Sequence, residues 1–521
     1  MSTNPGPSGS GFDAGAAAQQ MLELELVQPQ APLPVPGQQT APQAHAAPGL
    51  QPRERTAGDG PPYVPDTLSD RGNAKLFAKL NKGRFRYVDG YGWYTWDGYR
   101  WKRNGGNKAA LWAAGTLAEQ LASTDPLGYF SDREMARHAQ RSLSAAGQRN
   151  LLTLAEAHPD LALEARDLDG DPYALCTPGG VVSLRTGEMR AADPERDFHS
   201  RSTSVAPQNM PTPRFRQFLA DTFGDDETGR DMIRFVHLLL GYSITGDVGA
   251  QVLPFLHGAG KNGKSALMDV VLQLLGDYAD AAPPGFLMAR TFEEHSTELT
   301  ELHGRRIIVC SELRAGDRFD EARVKMLTGG DIIKARRMRQ NYFSFVPTHH
   351  LWLLGNHKPE VTTGGFAFWR RIRLIPFERT VPDERKIDNL ARVLVREEGP
   401  GILHWLVQGA VDWFQTRDPL NGPVQVTAAT ESYAANEDHI GRFLEEECVL
   451  QPGARAEQGP LYEAYTKWCL NETQDPAGPR AFSGRVRQEL GIASAADMIK
   501  TNGRKFYPGV GLKADGKAAQ R

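Results

Sequence analysis

Cysteine is scarce in this chain of 521 residues. The four present, Cys176, Cys310, Cys448 and Cys469, lie far apart with no C-x-x-C pair. That spacing gives no support to a disulfide framework or a zinc site and fits a reducing compartment. Long apolar runs are missing as well. None approaches the roughly 20 residues that span a bilayer, so no membrane partner is expected. The first residues lack the basic-then-apolar pattern of a secretory signal, and a cytoplasmic location is expected. Charge of one sign is not in excess either. Sixty Lys and Arg stand against 63 Asp and Glu, a formal net charge of -3. The chain is therefore no basic coat for a polyanion, and any such contact must come from local patches. Residues 1–62 are poor in aromatics and rich in Pro, Gln, Ala and Gly. That composition buries too little apolar surface to offset its ordering entropy, so a disordered tail is expected.

What the chain does have is Gly258-Ala259-Gly260-Lys261-Asn262-Gly263-Lys264-Ser265. This fits the phosphate-loop pattern G-x-x-x-x-G-K-[ST]. The apolar run Val252–Leu256 before it reads as a buried strand, and Ala266–Leu275 after it reads as a helix. Glycines let the backbone N–H groups face a polyphosphate, and the helix N-terminus adds positive potential. Lys264 is placed to reach the β/γ-phosphates and Ser265 to ligate Mg²⁺. An NTP site follows from motif and context together.

Two further apolar strands end in polar groups. Arg305–Ser311 leads to Glu312, and His349–Gly355 leads to Asn356. A buried parallel strand delivers such groups to the edge where the sheet opens onto phosphates. Glu312 is the candidate to polarise an attacking water and to sit near Mg²⁺, and Asn356 is the candidate to contact the γ-phosphate or that water. Between the two strands, the segment from Arg323 to Arg339 is dense in cations, including Lys325, Lys334, Arg336 and Arg337, with one acid. It reads as a hairpin that grips a DNA backbone, or as a solvated charge run. Phe366-Ala367-Phe368-Trp369-Arg370-Arg371-Ile372-Arg373 follows with a guanidinium cluster.

Upstream, Arg84–Val88 reads as a strand. Trp93–Trp96, Asp97-Gly98 and Tyr99–Lys102 read as a hairpin with a two-residue turn. Its aromatics suit a sheet core better than a stacking platform. Helical patterns run from Lys108 to His158. The aspartates of Asp167–Asp171 lack the Glu that a calcium loop needs at position twelve, so a polar turn before a strand is expected. Toward the C-terminus, Leu461–Cys469 and Phe482–Gly491 have helical spacing, and Gly503–Gly509 reads as a β-wing. A helix with Arg485 and Arg487 suits a major groove; a protein-interaction module remains the alternative.

The order of motifs (phosphate loop, strand-Glu, Leu327-Thr328-Gly329-Gly330-Asp331, strand-Gly-Asn, Trp-Arg-Arg, then Ile375-Pro376-Phe377) resembles the superfamily 3 helicases. The likeness is to the phage and plasmid primase-helicase family related to the poxvirus primase-helicase. Asp70-Arg71-Gly72-Asn73-Ala74, Thr177-Pro178-Gly179-Gly180-Val181 and Leu239-Leu240-Gly241-Tyr242 look like its helicase-associated and lead-in segments.

The resemblance implies an α/β fold. Its core is an AAA+ P-loop NTPase over 206–390, behind an α+β N-terminal helicase-associated domain over 63–205. A helical linker over 391–450 and a C-terminal winged helix over 451–513 follow. It implies ATP and Mg²⁺ as cofactors, with Gly258, Gly263, Lys264 and Ser265 binding them and Glu312 activating water. Asn356 is the implied sensor, Arg371 the first and Arg370 the second choice of arginine finger, and Lys334 and Arg336 the channel contacts. The implied partners are single-stranded and forked DNA, further copies in a hexamer, and a separate primase or replisome proteins in a bacterial cell. No catalytic carboxylate pair or zinc motif is visible, so primase activity is not expected. An ATP-dependent initiator or assembly factor that binds DNA without translocating is the rival reading, and a small-molecule kinase the third.

Overall fold

The computed structural model describes residues 63–122, 129–289, 297–311, 313–336, 342–362, 364–381, 387–418, 420–472 and 475–513. Residues 1–62, Glu312 and Arg337, for which the sequence sets expectations, lie outside them.

The first module starts with helix α1 (Asp70–Asn81), capped by Ser69, whose hydroxyl accepts from the Gly72 N–H. Strands β1 (Phe85–Val88), β2 (Gly92–Trp96) and β3 (Trp101–Lys102) follow, then helices α2 (Gly106–Gln120), α3 (Asp132–Ser142) and α4 (Ala145–Ala155) and strand β4 (Ala162–Leu163). The sheet order is β3-β2-β1-β4, with β4 parallel to β1. Trp93 and Trp101 are buried, so the aromatics do form a core. The turn differs from expectation. Trp96 pairs with Trp101, which makes a four-residue loop. Asp97 Oδ1 accepts from the N–H groups of Tyr99 and Arg100 (3.3 and 3.1 Å) and holds that longer loop closed.

A second small sheet, β5 (Ala174–Thr177), β6 (Gly180–Ser183) and β7 (Met189–Arg190), is antiparallel throughout. Its Leu175, Cys176 and Val182 share one apolar core with the elements that follow. The boundary expected near residue 205 is thus a boundary of sequence pattern, and the core runs across it.

The central layer follows α5 (Pro213–Phe223) and α6 (Glu227–Ser243). Its sheet contains β8 (Leu253–His257), β9 (Ala279–Ala281), β10 (Ile307–Cys310), β13 (His350–Gly355) and β14 (Ile372–Pro376), in the order β14-β8-β13-β10-β9, all parallel. Both faces are covered, which explains why these strands read as unbroken apolar runs. In β10, Ile307 and Val309 enter one core while Ile308 and Cys310 enter the other. Pro254 sits one residue before the β8–β13 ladder begins, so its missing N–H costs no ladder bond there.

Helix α7 (Lys264–Leu275) follows the glycine loop. Helix α8 (Glu321–Leu327) and the two-stranded hairpin β11 (Ile333–Arg336) and β12 (Tyr342–Phe345) are inserted between β10 and β13, and the short helix α9 (Phe366–Trp369) precedes β14.

The helices expected as a linker are not one. Helix α10 (Leu390–Thr416) buries Leu394, Leu403, Leu406 and Val407 in the core beside α6 and α7. Helix α11 (Val424–Glu437) packs along the edge strand β14, where Thr430 Oγ1 accepts from the Leu374 N–H (3.0 Å), and spans both cores, with Val426 in the first and Tyr433 in the second. Long amphipathic helices need an apolar surface to cover, and here the sheet supplies it. A separate core begins at α12 (His439–Glu447) and takes in β15 (Cys448–Glu457), α13 (Gln458–Asn471), α14 (Pro479–Glu489), β16 (Ile499–Thr501) and β17 (Arg504–Leu512). Its sheet order is β15-β17-β16, antiparallel.

Candidate nucleotide site

The loop Gly258–Gly263 leaves the C-terminal end of β8 and enters α7. Gly258 has no room for a side chain, because a Cβ there would overlap the Phe377 carbonyl oxygen and the Asn262 amide. Gly263 has φ +88, and a Cβ would lie 2.9 Å from Thr222 Oγ1. Only glycine takes this left-handed turn without strain. The loop is tied to the exit of β14. Asn262 Nδ2 donates to the Phe377 carbonyl (2.8 Å), and the Val381 N–H donates to the Lys261 carbonyl (3.1 Å).

Lys264 is 5% exposed. Its ammonium donates to the Gly258 carbonyl (2.7 Å) and to Asn262 Oδ1 (2.9 Å). Two of its three donors are used inside the loop, which leaves one to spare. Burial lowers its pKa. Ala259, Lys261 and Ser265 are exposed, and Gly260 has φ +108. A Cβ on Gly260 would lie 3.9 Å from Asn356 Nδ2, so the exposed Asn356 stands against the loop. The register explains this, since Gly355 pairs with His257.

Sequence reasoning missed three cationic or basic groups here. His257 ends β8, and its pKa is lowered to about 4, first by burial and then by Lys358 and Lys264. Lys358 follows Asn356 by two residues. Arg379 lies in the β14 exit and pairs with Asp226 (3.3 Å). Their sequence neighbourhoods carry no motif; only the register brings them together. A loop with cramped glycines at a helix start and a lysine with a spare donor can accept an anion.

The other end of the same strands holds the guanidinium cluster. The Leu253 N–H donates to the Arg371 carbonyl (2.7 Å), four residues from His257 along β8. At about 3.3 Å per residue, that places Arg370 and Arg371 roughly 13 Å from their own loop. Arg371 is 6% exposed. It donates through Nε to Thr328 Oγ1 (2.9 Å), through Nη2 to Gln251 Oε1 (3.1 Å) and through Nη1 to the Ala367 carbonyl. A buried guanidinium with these partners is unsuited to reach another subunit, which corrects the preference for Arg371. Arg370 is exposed and donates to Gln251 Oε1. Gln251, also missed in the sequence, donates onward to the Gly329 carbonyl (2.8 Å).

Of the DNA candidates, Lys334 and Arg336 project from the exposed side of β11 while Ile333 and Ala335 are buried. The Arg336 guanidinium lies 5.4 Å from the Tyr342 ring centroid. Lys325 is half-buried on α8, so it belongs to a helix rather than to the hairpin expected. In the C-terminal module, Arg485 is tied to Asp438 (2.5 Å) and Glu489 (2.7 Å), which removes it from groove reading.

A family described as D5 N terminal like matches residues 74–224, and a family of unknown function (DUF5906) matches residues 256–371. Among curated proteins, a provisionally named helicase of Acanthamoeba polyphaga mimivirus is 28% identical over 41% of this chain and 22% of its own length. One of Frog virus 3 is 26% identical over 57% of this chain and 31% of its own. A provisionally named primase of African swine fever virus is 22% identical over 58% of this chain and 34% of its own. The chain thus aligns with about a third or less of these relatives' length. Among solved structures, the C-terminal region of NrS-1 is 10% identical, covering 70% of this chain and 89% of that one at a TM-score of 0.39. The family match over residues 74–224 and the helicase- and primase-named viral relatives make this chain similar to D5-like primase-helicases. Among the described residues, no helix is long and apolar enough to cross a membrane.

Proposed function

We propose that this chain is an ATP-dependent DNA helicase motor acting in replication, with an AAA+ core and a C-terminal winged helix. The observation that carries the reading is the division of the central sheet. Its loop edge gathers Gly258, Lys264, Ser265 and Asn356; its opposite edge gathers Arg370, Gln251 and the cationic hairpin. The Asn356 strand lies between the loop strand and the strand that leads to Glu312, so all three serve one edge.

On this reading, the loop N–H groups and Lys264 bind the phosphates of ATP, and Ser265 with Glu312 holds Mg²⁺. The metal neutralises phosphate charge when bound. Glu312 takes the proton of the attacking water, and Asn356 orients that water or the γ-phosphate. Arg370 stands too far from its own loop to act there, so it serves a neighbouring copy in a ring, proposed as a hexamer. Lys334, Arg336 and Arg337 grip a DNA strand through its phosphates. The helicase names of the viral relatives point the same way.

The test is ATP turnover by the purified chain with and without single-stranded DNA. DNA-stimulated turnover that rises with protein concentration supports the reading. Turnover indifferent to DNA and to concentration overturns it.

A further inference from the structure

The hairpin β16–β17 turns through Asn502 and Gly503, at φ +52 and +77. Two left-handed residues make the tight primed turn that matches strand twist. The register pairs Lys500 with Lys505 and Thr501 with Arg504. Like charges directly opposite each other on an antiparallel pair are destabilising. Here both lysines are exposed, and among the described residues neither ammonium has a carboxylate partner. Side chains alternate along a strand, so Arg504 projects from the other face of the ribbon, paired with Glu457 (3.1 Å). On that face the Arg455 guanidinium lies 5.7 Å from the Phe506 ring centroid.

The tip thus carries cations on both faces and keeps two of them in a repulsive register. Two arginines on the helix of the same module are held within the module, while Arg480 at its start is exposed. Arg485 is neutralised by Asp438 and Glu489, and Arg487 donates to the Ser483 carbonyl within its own helix. A repulsive pair is relieved by an anion that meets both members at once. Two exposed lysines side by side suit an anion of evenly spaced charge, as the phosphate backbone of a duplex presents.

We propose that the β16–β17 wing, through Lys500 and Lys505, contacts the phosphate backbone of duplex DNA without reading sequence. Helix α14 supports the module and does not read bases. This contact does not depend on nucleotide or on the motor reading.

The test uses the full chain without nucleotide, and two labelled blunt duplexes of unrelated sequence, titrated at several salt concentrations. Lys500→Ala with Lys505→Ala should weaken binding to both duplexes by about tenfold and reduce the salt slope by about 2, for two lost phosphate contacts. Removing the repulsive pair should leave the melting temperature unchanged or raised. Lys505→Gln alone, a milder change, should lower the slope by about 1. Arg487→Ala should leave affinity for both duplexes within twofold, and Lys264→Ala should retain wing binding even where it abolishes hydrolysis. Wild-type affinity and slope in the folded double variant would overturn the proposal. So would an Arg487→Ala variant that changes the ratio of affinities for the two duplexes.

Discussion

Arg371 Nε donates to Thr328 Oγ1 at 2.9 Å. This bond joins the start of β14 to the end of α8, just ahead of the cationic hairpin. Gln251 completes the junction, since it accepts from Arg370 and Arg371 and donates to the Gly329 carbonyl. The proposed DNA grip and the proposed trans-acting arginine therefore share one hydrogen-bonded node at the edge of the sheet away from the nucleotide loop.

The two neighbouring arginines should separate by experiment. Arg371→Ala removes a buried guanidinium with three acceptors and should cost about 2–3 kcal/mol of stability, read as a lower melting temperature. Arg370→Ala should leave melting unchanged and abolish the rise of ATP turnover with protein concentration. Mixing it with Lys264→Ala should restore some turnover, because an intact loop then meets an intact arginine across one interface.

At the loop, Lys264→Ala should lose nucleotide binding and turnover together. Glu312→Gln should still bind ATP and turn it over about 100-fold more slowly or worse, in keeping with the size of general-base effects. Gly258→Ala should weaken nucleotide binding, because its Cβ would displace the Phe377 carbonyl and with it the Asn262 anchor. A nucleotide-binding titration beside steady-state turnover resolves all three.

The hairpin should affect coupling and not chemistry. Lys334→Ala with Arg336→Ala should leave basal turnover within about twofold and remove its stimulation by single-stranded DNA, since channel contacts are electrostatic. Raising salt on the wild-type chain should reduce stimulation in the same direction.

Acid should destabilise the fold. His349 and His350 are buried at the start of β13, and burial pushes both pKa values down. The His257 pKa is lowered to about 4. In the unfolded chain each histidine titrates near the ordinary value of about 6.5. The unfolded state therefore binds more protons below that pH, and stability declines as pH falls from about 6.5 toward 4. The buried pair contributes up to about 1.4 kcal/mol per pH unit for each group. Melting curves from pH 7.5 to 4.5 check this, and a flat melting temperature between pH 7 and 5 would contradict it.

Much of the loop edge was legible in the chain. The apolar runs before Gly258 and before Asn356 became β8 and β13 because strands buried on both faces need no alternation. Spacing along the chain could not give the contacts made across strands. Nothing near Gln251 marks it, and its role appears only when β8 and β14 lie side by side. Arg370 and Arg371 are adjacent and alike in sequence; their exposure differs because Arg371 leads directly into β14 over the Thr328 hydroxyl. The four-residue loop after Trp96 escaped because Asp97-Gly98 also fits a two-residue turn, and the Trp96–Trp101 register decided between them. Helix α10 looked like a linker because the sheet face it covers lies far away in sequence.

Strand displacement on a forked DNA duplex is the most direct measurement of the central claim. The purified chain, given ATP and Mg²⁺, should release the labelled strand, and the Lys264→Ala variant should not. Release without ATP, or none at concentrations where the chain hydrolyses ATP and binds the fork, would contradict the helicase account.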